Sequence, residues 1–181
     1  MTQPTVLVIL AEGFEEIEAV TPIDLLRRAG AVVTVASLAA GIHVAGRSAI
    51  ILHADLPLDG VTESHFDCVV LPGGPGVQKL REDARVLEIV KRQNEVKGWL
   101  AAICAAPLVL NTCGILEGKR YTAHFSVAAE LPGALLDERV VQDGHLITSR
   151  GAGTALDFGL KLVEVLFTEK RAVEIAGAIS A

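Results

Sequence analysis

Hydrophobic and polar positions alternate along the chain in blocks that change period. TVLVILA (5–11) is a continuous apolar run rich in β-branched residues, the pattern of a strand buried on both faces. GFEEIEAVTPIDLLRRAG (13–30) has helical spacing and closes on Gly30, a good C-terminal stop, while Pro22 inside it predicts a kink or a division into two segments. AVVTVASL (31–38) is the next strand, and HVAGRSAIILHADLPL (43–58) predicts a short antiparallel excursion. FDCVVLPGG (66–74) is another buried strand that stops at a Pro-Gly-Gly turn. DARVLEIVKRQNEVKG (83–98) has helical apolar spacing at Val86, Leu87, Ile89 and Val90.

The second half continues the alternation. WLAAIC (99–104) predicts a strand, APLVLNTCG (106–114) a helix ending at Gly114, and KRYTAH (119–124) a strand. RVVQDGHLITSRG (139–151) carries Asp143-Gly144 between apolar runs, a strong hairpin signal. TALDFGLKLVEVLF (154–167) is an amphipathic helix and EKRAVEIAGAI (169–179) a last one. Strands alternating with helices predict an α/β fold with a parallel sheet covered on both faces. No repeat, linker or low-complexity segment divides residues 1–181, which predicts one domain.

In such a sheet, chemistry sits beyond the carboxyl ends of the strands. Five features share that address: Glu12 to Glu18, Gly73-Gly74, Cys104, His124 and Arg150-Gly151. The passage from Trp99 through Cys104 into Ala105-Ala106-Pro107 reads as strand, thiol, helix, similar in shape to a nucleophile elbow although it is not the G-x-S-x-G motif. A helix N-terminus favours negative charge, so a lowered thiol pKa is expected there. On local context Cys104 reads equally as a buried core thiol, since free cysteine is among the most buried residue types. Cys68 in mid-strand and Cys113 at a helix end lack the elbow context. Of the acids Glu15, Glu16 and Glu18, two suit the helix dipole, and Glu18 lies a turn further in, where it is expected to face inward. An inward carboxyl beside a thiolate tends to be protonated, because burial and like charge both raise its pKa.

Composition narrows the classes. Hydrophobic residues make up 51 % and charged residues 21 %, a globular balance. The net charge is −6 with no basic stripe, which argues against a nucleic-acid partner. Three cysteines without paired spacing argue against a disulfide scaffold, and five scattered histidines against a metal-ligand motif. The opening MTQPTVLVILAEG has no basic n-region, and its apolar run is too short for a membrane span, so a reducing, cytoplasmic setting is expected. GAGTALDFG is only superficially like G-x-G-x-x-G, because Leu156 breaks it, and a nucleotide site is not expected.

VILAEGFEEIEAVTPIDLLRRAG, VVLPGG, AAICAAP and TSRGAGTALDFGL, in order and at compatible spacing over about residues 5 to 170, resemble the DJ-one/ThiJ/PfpI superfamily. Within it they resemble the branch of the Parkinson-disease-associated protein and its bacterial relatives. The resemblance implies a flavodoxin-like (class I glutamine amidotransferase-like) three-layer sandwich with a mainly parallel sheet, usually as a homodimer. It implies a reactive cysteine at Cys104, an inward acid at Glu18 and a nearby histidine at His124. It also implies backbone N–H groups of Gly73 and Gly74 facing the sulfur, and supporting basic residues at Arg28 and Arg150.

The implied activity is a cofactor-independent glyoxalase or deglycase acting on small dicarbonyls, with N–H groups at Gly74 and Ala105 as oxyanion donors. A redox sensor or redox-gated chaperone using the same cysteine is the alternative, and a PfpI-type peptidase a third. Departures exist: Arg47-Ser48 stands where relatives carry Ser-Arg, Gly46 and His53 where some carry cysteines, and Ala152 where relatives often carry proline.

Overall fold

The computed structural model describes residues 3–181; Met1 and Thr2, which open the N-terminal stretch, lie outside the described residues. In chain order the elements are β1 (Thr5–Leu10), α1 (Glu16–Ala29), β2 (Val32–Ser37), β3 (His43–Ala45), β4 (Ile51–His53), β5 (Leu56–Pro57), β6 (Cys68–Leu71), α2 (Val77–Glu82), α3 (Ala84–Glu95), β7 (Trp99–Ile103), α4 (Pro107–Thr112), β8 (Val140–Asp143), β9 (Leu146–Ser149), α5 (Ala155–Leu166) and α6 (Glu169–Ala178). Seven strands form one sheet in the order β5-β2-β1-β6-β7-β9-β8. All neighbours are parallel except β8 and β9, the hairpin turned by Asp143-Gly144. β3 and β4 pair separately as the expected antiparallel excursion.

The apolar run of β1 divides between two layers because strand side chains alternate. Val6, Val8 and Leu10 join Leu25 and Leu26 of α1, Phe158 and Leu162 of α5, and Ile175 of α6. Leu7 and Ile9 join Leu80 of α2, Val86 and Ile89 of α3, and Val109 and Leu110 of α4. The sheet is thus covered on both faces, as the continuous apolar strands require.

Three expectations need correction. Pro22 does not divide α1, which runs unbroken from Glu16 to Ala29 and stops at Gly30 in the left-handed region, φ 103°. Pro22 lacks the N–H that would bond the Glu18 carbonyl one turn back, yet its buried ring packs where α5 passes closest. That approach needs Gly159, since a Cβ there would lie 2.6 Å from Leu25 Cδ1 and 3.3 Å from Pro22 Cα.

Residues 119–124 are extended but form no strand, because β9 already occupies that edge of β7. Their N–H groups go elsewhere: Arg120 to Asp143 Oδ2, Thr122 to Thr148 Oγ1, and His124 to the Cys104 carbonyl at 2.9 Å. The short helix α2, directly after the Pro-Gly-Gly turn, was not expected. Among the described residues no helix is long and apolar enough to cross a membrane.

Candidate active site

Cys104 follows the last residue of β7 and has φ 65°, a left-handed backbone on a residue with a side chain. Such a conformation costs on the order of 1–3 kcal/mol and persists only where its surroundings hold it. Two hydrogen bonds do so: Cys104 N–H donates to the Ser149 carbonyl, and the Cys104 carbonyl accepts from His124 N–H, both at 2.9 Å. The chain then enters α4 with Pro107 in its first turn. The strand-to-helix elbow is therefore real, and it turns the thiol out of the sheet into a cavity of about 350 Å³.

Glu18 reaches the same point from α1. It is 1 % exposed, and its Oε2 accepts the Gly73 N–H at 2.9 Å. Its carboxyl stands beside Cys104, with only Gly73 between them. Burial raises the Glu18 pKa to about 7, against the opposing pull of the Cys104 and Gly73 hydrogen bonds. The expected inward acid with a raised pKa is present.

The expected lowering of the thiol pKa is not. Burial, then the charge and hydrogen bond of Glu18, push Cys104 up to about 12, and the N–H groups of Ala105 and Gly74 recover only part of that. α4 has only six residues, so its short dipole is outweighed by desolvation and a like charge. Acid and thiol form a coupled pair in which the carboxyl ionises first and its charge then holds the proton on sulfur.

Gly73 and Gly74 do different things. The Gly73 N–H is committed to Glu18 rather than facing the sulfur, whereas the Gly74 backbone lowers the thiol pKa and lines the cavity. A Cβ on Gly73 would sit 2.5 Å from Glu18 Oε2 and 2.6 Å from Cys104 Cβ, directly between acid and thiol. Gly74 has φ 94° and lies against the backbone of Gly13 to Glu15. The Pro-Gly-Gly turn is thus locked to the start of α1, with Glu15 N–H donating to the Gly73 carbonyl.

His124 lines the cavity. Its Nδ1 lies 2.8 Å from Ser126 Oγ and 3.3 Å from the Ser126 N–H, and its ring packs on Phe125 with centroids 4.2 Å apart. A Cβ on Gly151 would lie 3.2 Å from His124 Cδ2 and 4.0 Å from Glu18 Oε1, so Gly151 leaves room for both.

The supporting arginines do not reach the cavity. Arg28 pairs with Asp24 at 2.7 Å near the far end of α1, and the Arg150 guanidinium lies 3.4 Å from the carbonyls of Leu136 and Asp137. Arg47 does line it, facing Glu15 at 3.5 Å. Arg47 rides on a loop that Glu16 fastens: Glu16 Oε1 accepts the Ser48 N–H at 2.7 Å. A Cβ on Gly46 would fall 2.3 Å from that same oxygen, which explains glycine here. Arg47 and Ser126 were not singled out as site residues from the sequence; the Arg47-Ser48 departure from the family pattern was the one available signal.

A strand-tip thiol held in a left-handed elbow beside a buried carboxyl, on a parallel sheet, defines a cysteine-centred α/β protein. The DJ-1/PfpI family pattern matches residues 4–165, and the chain belongs to that family. It is similar to the crystal structure of Drosophila melanogaster DJ-1beta, with TM-score 0.96 and 40 % identity over 99 % of both chains. Glutathione-independent glyoxalase DJR-1.2 of Caenorhabditis elegans is 38 % identical over 168 residues, 91 % of this chain and 89 % of that one. Protein DJ-1 homolog A of Arabidopsis thaliana is 41 % identical over 180 residues, 97 % of this chain and 46 % of the relative, so the chain spans about half its length.

Proposed function

We propose that the protein is a cysteine-dependent, cofactor-independent glyoxalase that converts methylglyoxal or glyoxal to the 2-hydroxy acid without glutathione. The same chemistry extends to deglycation of early dicarbonyl adducts. The observation that carries this reading is the buried Glu18 carboxyl standing beside Cys104 across Gly73, both lining one cavity.

The ionised Glu18 takes the thiol proton as sulfur attacks the aldehyde carbon, and returns it to the new oxyanion, giving a hemithioacetal. The N–H groups of Gly74 and Ala105, which line the cavity beside Cys104 and lower its pKa, are the donors for that oxyanion. Glu18 then removes the proton from the first carbon and delivers it to the second, while the hydroxyl proton on the first carbon's oxygen passes to the oxygen of the second. The first carbon is oxidised to a thioester and the second reduced to an alcohol, so no outside oxidant is needed. Water cleaves the thioester, releasing the hydroxy acid and the thiol.

The same contact weighs against the redox-sensor and redox-gated chaperone readings, because oxidation follows thiolate character and Glu18 opposes it. A peptidase needs an imidazole bonded to its thiol, and among the described residues no side-chain hydrogen bond joins His124 to Cys104: the ring's bonds go to Ser126. Exposed Ile17, Val20, Ile50 and Ile51 support assembly as a homodimer. The test is methylglyoxal consumption without glutathione: wild type turns over many equivalents to lactate and Cys104→Ala none. Full retention in the variant overturns the mechanism.

A further inference from the structure

The mechanism leaves His124 without a stated task, although the ring lines the cavity. Its task is decided by which nitrogen carries the proton. The Ser126 backbone N–H points at His124 Nδ1 at 3.3 Å and can only donate. Nδ1 must therefore offer a lone pair, and the Ser126 hydroxyl, 2.8 Å from the same atom, must donate as well. Two donors on one nitrogen place the proton of the neutral ring on Nε2. The Cδ2–Nε2 edge is the one opposite Nδ1, and Cδ2 is the atom nearest Gly151, beside Glu18. Cδ2 thus lies on the Gly151 and Glu18 side of the ring, and the ring lines the same cavity as Cys104.

We propose that Ser126 is a positioning residue that fixes His124 as an Nε2–H donor, so that His124 polarises the second carbonyl oxygen of a 1,2-dicarbonyl and Glu18 alone carries the proton. This rests on the glyoxalase reading for its substrate, but the tautomer itself does not. As the proton leaves the first carbon, negative charge develops on the oxygen of the second, and a fixed N–H there is worth most at that moment. An imidazole with its lone pair already engaged by two donors cannot accept a substrate proton at Nδ1. Its Nε2 has a proton to share and no lone pair to take one.

The experiment has two arms on the full chain. In the first, ¹⁵N-histidine correlation spectra at pH 8, assigned by loss of signals in His124→Gln, read the tautomer directly. A pyrrole-type Nε2 and a pyridine-type Nδ1 are expected. An Nδ1–H form or an imidazolium at that pH overturns the proposal, whatever the protein's activity. In the second, His124→Gln keeps a donor near the Nε2 position but cannot exchange protons as a base. It is expected to hold kcat for methylglyoxal to within about tenfold of wild type, while His124→Ala loses about 10²–10³.

Equal loss in folded Gln and Ala variants, with matching Tm, makes His124 a proton carrier and overturns the assignment. If wild type itself consumes no dicarbonyl, the proposed function fails, and the spectra still decide the tautomer. Ser126→Ala supplies the third reading. Removing one of the two donors should make the Nδ1–H form detectable and lower kcat about threefold to tenfold. An unchanged spectrum and an unchanged kcat remove Ser126 from the role.

Discussion

Cys68 opens one strand, Cys104 follows the end of its neighbour, and the two meet opposite fates. Cys68 opens β6 and is fully buried, and burial with the nearby Asp67 charge drives its thiol far above the ordinary range. Cys104 lies just beyond the other end of β7, and burial raises its thiol too. Burial alone therefore does not distinguish a reactive thiol from an inert one. The difference lies in what each sulfur can reach. Cys68 faces an apolar layer with no proton acceptor in contact, whereas Cys104 has Glu18, two backbone N–H groups and an open cavity. A raised pKa beside a matched base is a poised proton, and the same rise without one is a blocked proton.

The sharpest way to break this comparison is to exchange the oxygen analogue at each sulfur. Cys104→Ser should lower methylglyoxal turnover by at least about 10³-fold, while Cys68→Ser should keep turnover and lose about 1–3 kcal/mol of stability through an unpaired buried hydroxyl. Loss of turnover in Cys68→Ser at unchanged stability would erase the distinction.

Glu18→Gln separates the two properties of Cys104. Turnover should fall about 10²–10⁴-fold because the base is gone. Iodoacetamide labelling of Cys104 at pH 7.5 should speed up, because the charge that raises the thiol pKa is gone too. Slower labelling would show that Glu18 activates the sulfur instead.

Gly73→Ala wedges a methyl between acid and thiol. It should cost about 1–3 kcal/mol in chemical denaturation and reduce kcat more than it raises KM. The smallest effect is on stability against pH. The folded-state pKa of Glu18, about 7, lies above the unfolded value near 4.5, so the folded state binds the proton more tightly. Stability from this group is present at low pH and lost as pH rises through 7. Glu18→Gln should accordingly be more stable than wild type at pH 8 by about 2 kcal/mol, and the gap should close by pH 5. A gap that widens on acidification contradicts the assignment.

Much of this was legible in the sequence because local chemistry and global fold agree there. The apolar runs of β1, β6 and β7 read as strands buried on both faces, and Asp143-Gly144 between apolar runs is a strong hairpin signal. Cys104 and Glu18 were legible because one follows a strand and the other lies in the first turn of a helix at the same end of the sheet; His124, which follows no strand, was legible only through the family resemblance. Residues 119–124 misled because Tyr121, Thr122 and Ala123 are buried like a strand, and only the sheet order reveals that β9 holds the place. Which glycine N–H serves the acid and which the sulfur depends on the twist of a three-residue turn. The lowered thiol pKa failed because a six-residue helix was weighed without the desolvation around its first turn. Arg47 went unassigned because its reach depends on Glu16 gripping the loop from another element.

Gly159 bears on how such a site can vary over generations. It stands where α5 crosses α1, against Pro22 and Leu25, one to two helical turns beyond Glu18. A single methyl there moves the end of the Leu25 side chain and presses the α1 backbone at Pro22 by a few tenths of an ångström, a nudge passed on toward Glu18 while Cys104 stays anchored to the sheet. The spacing of acid and sulfur is thus inherited partly through a helix crossing that no substrate touches. Drift at such crossings gives a lineage a graded way to retune or silence its chemistry while every residue of the cavity remains in place.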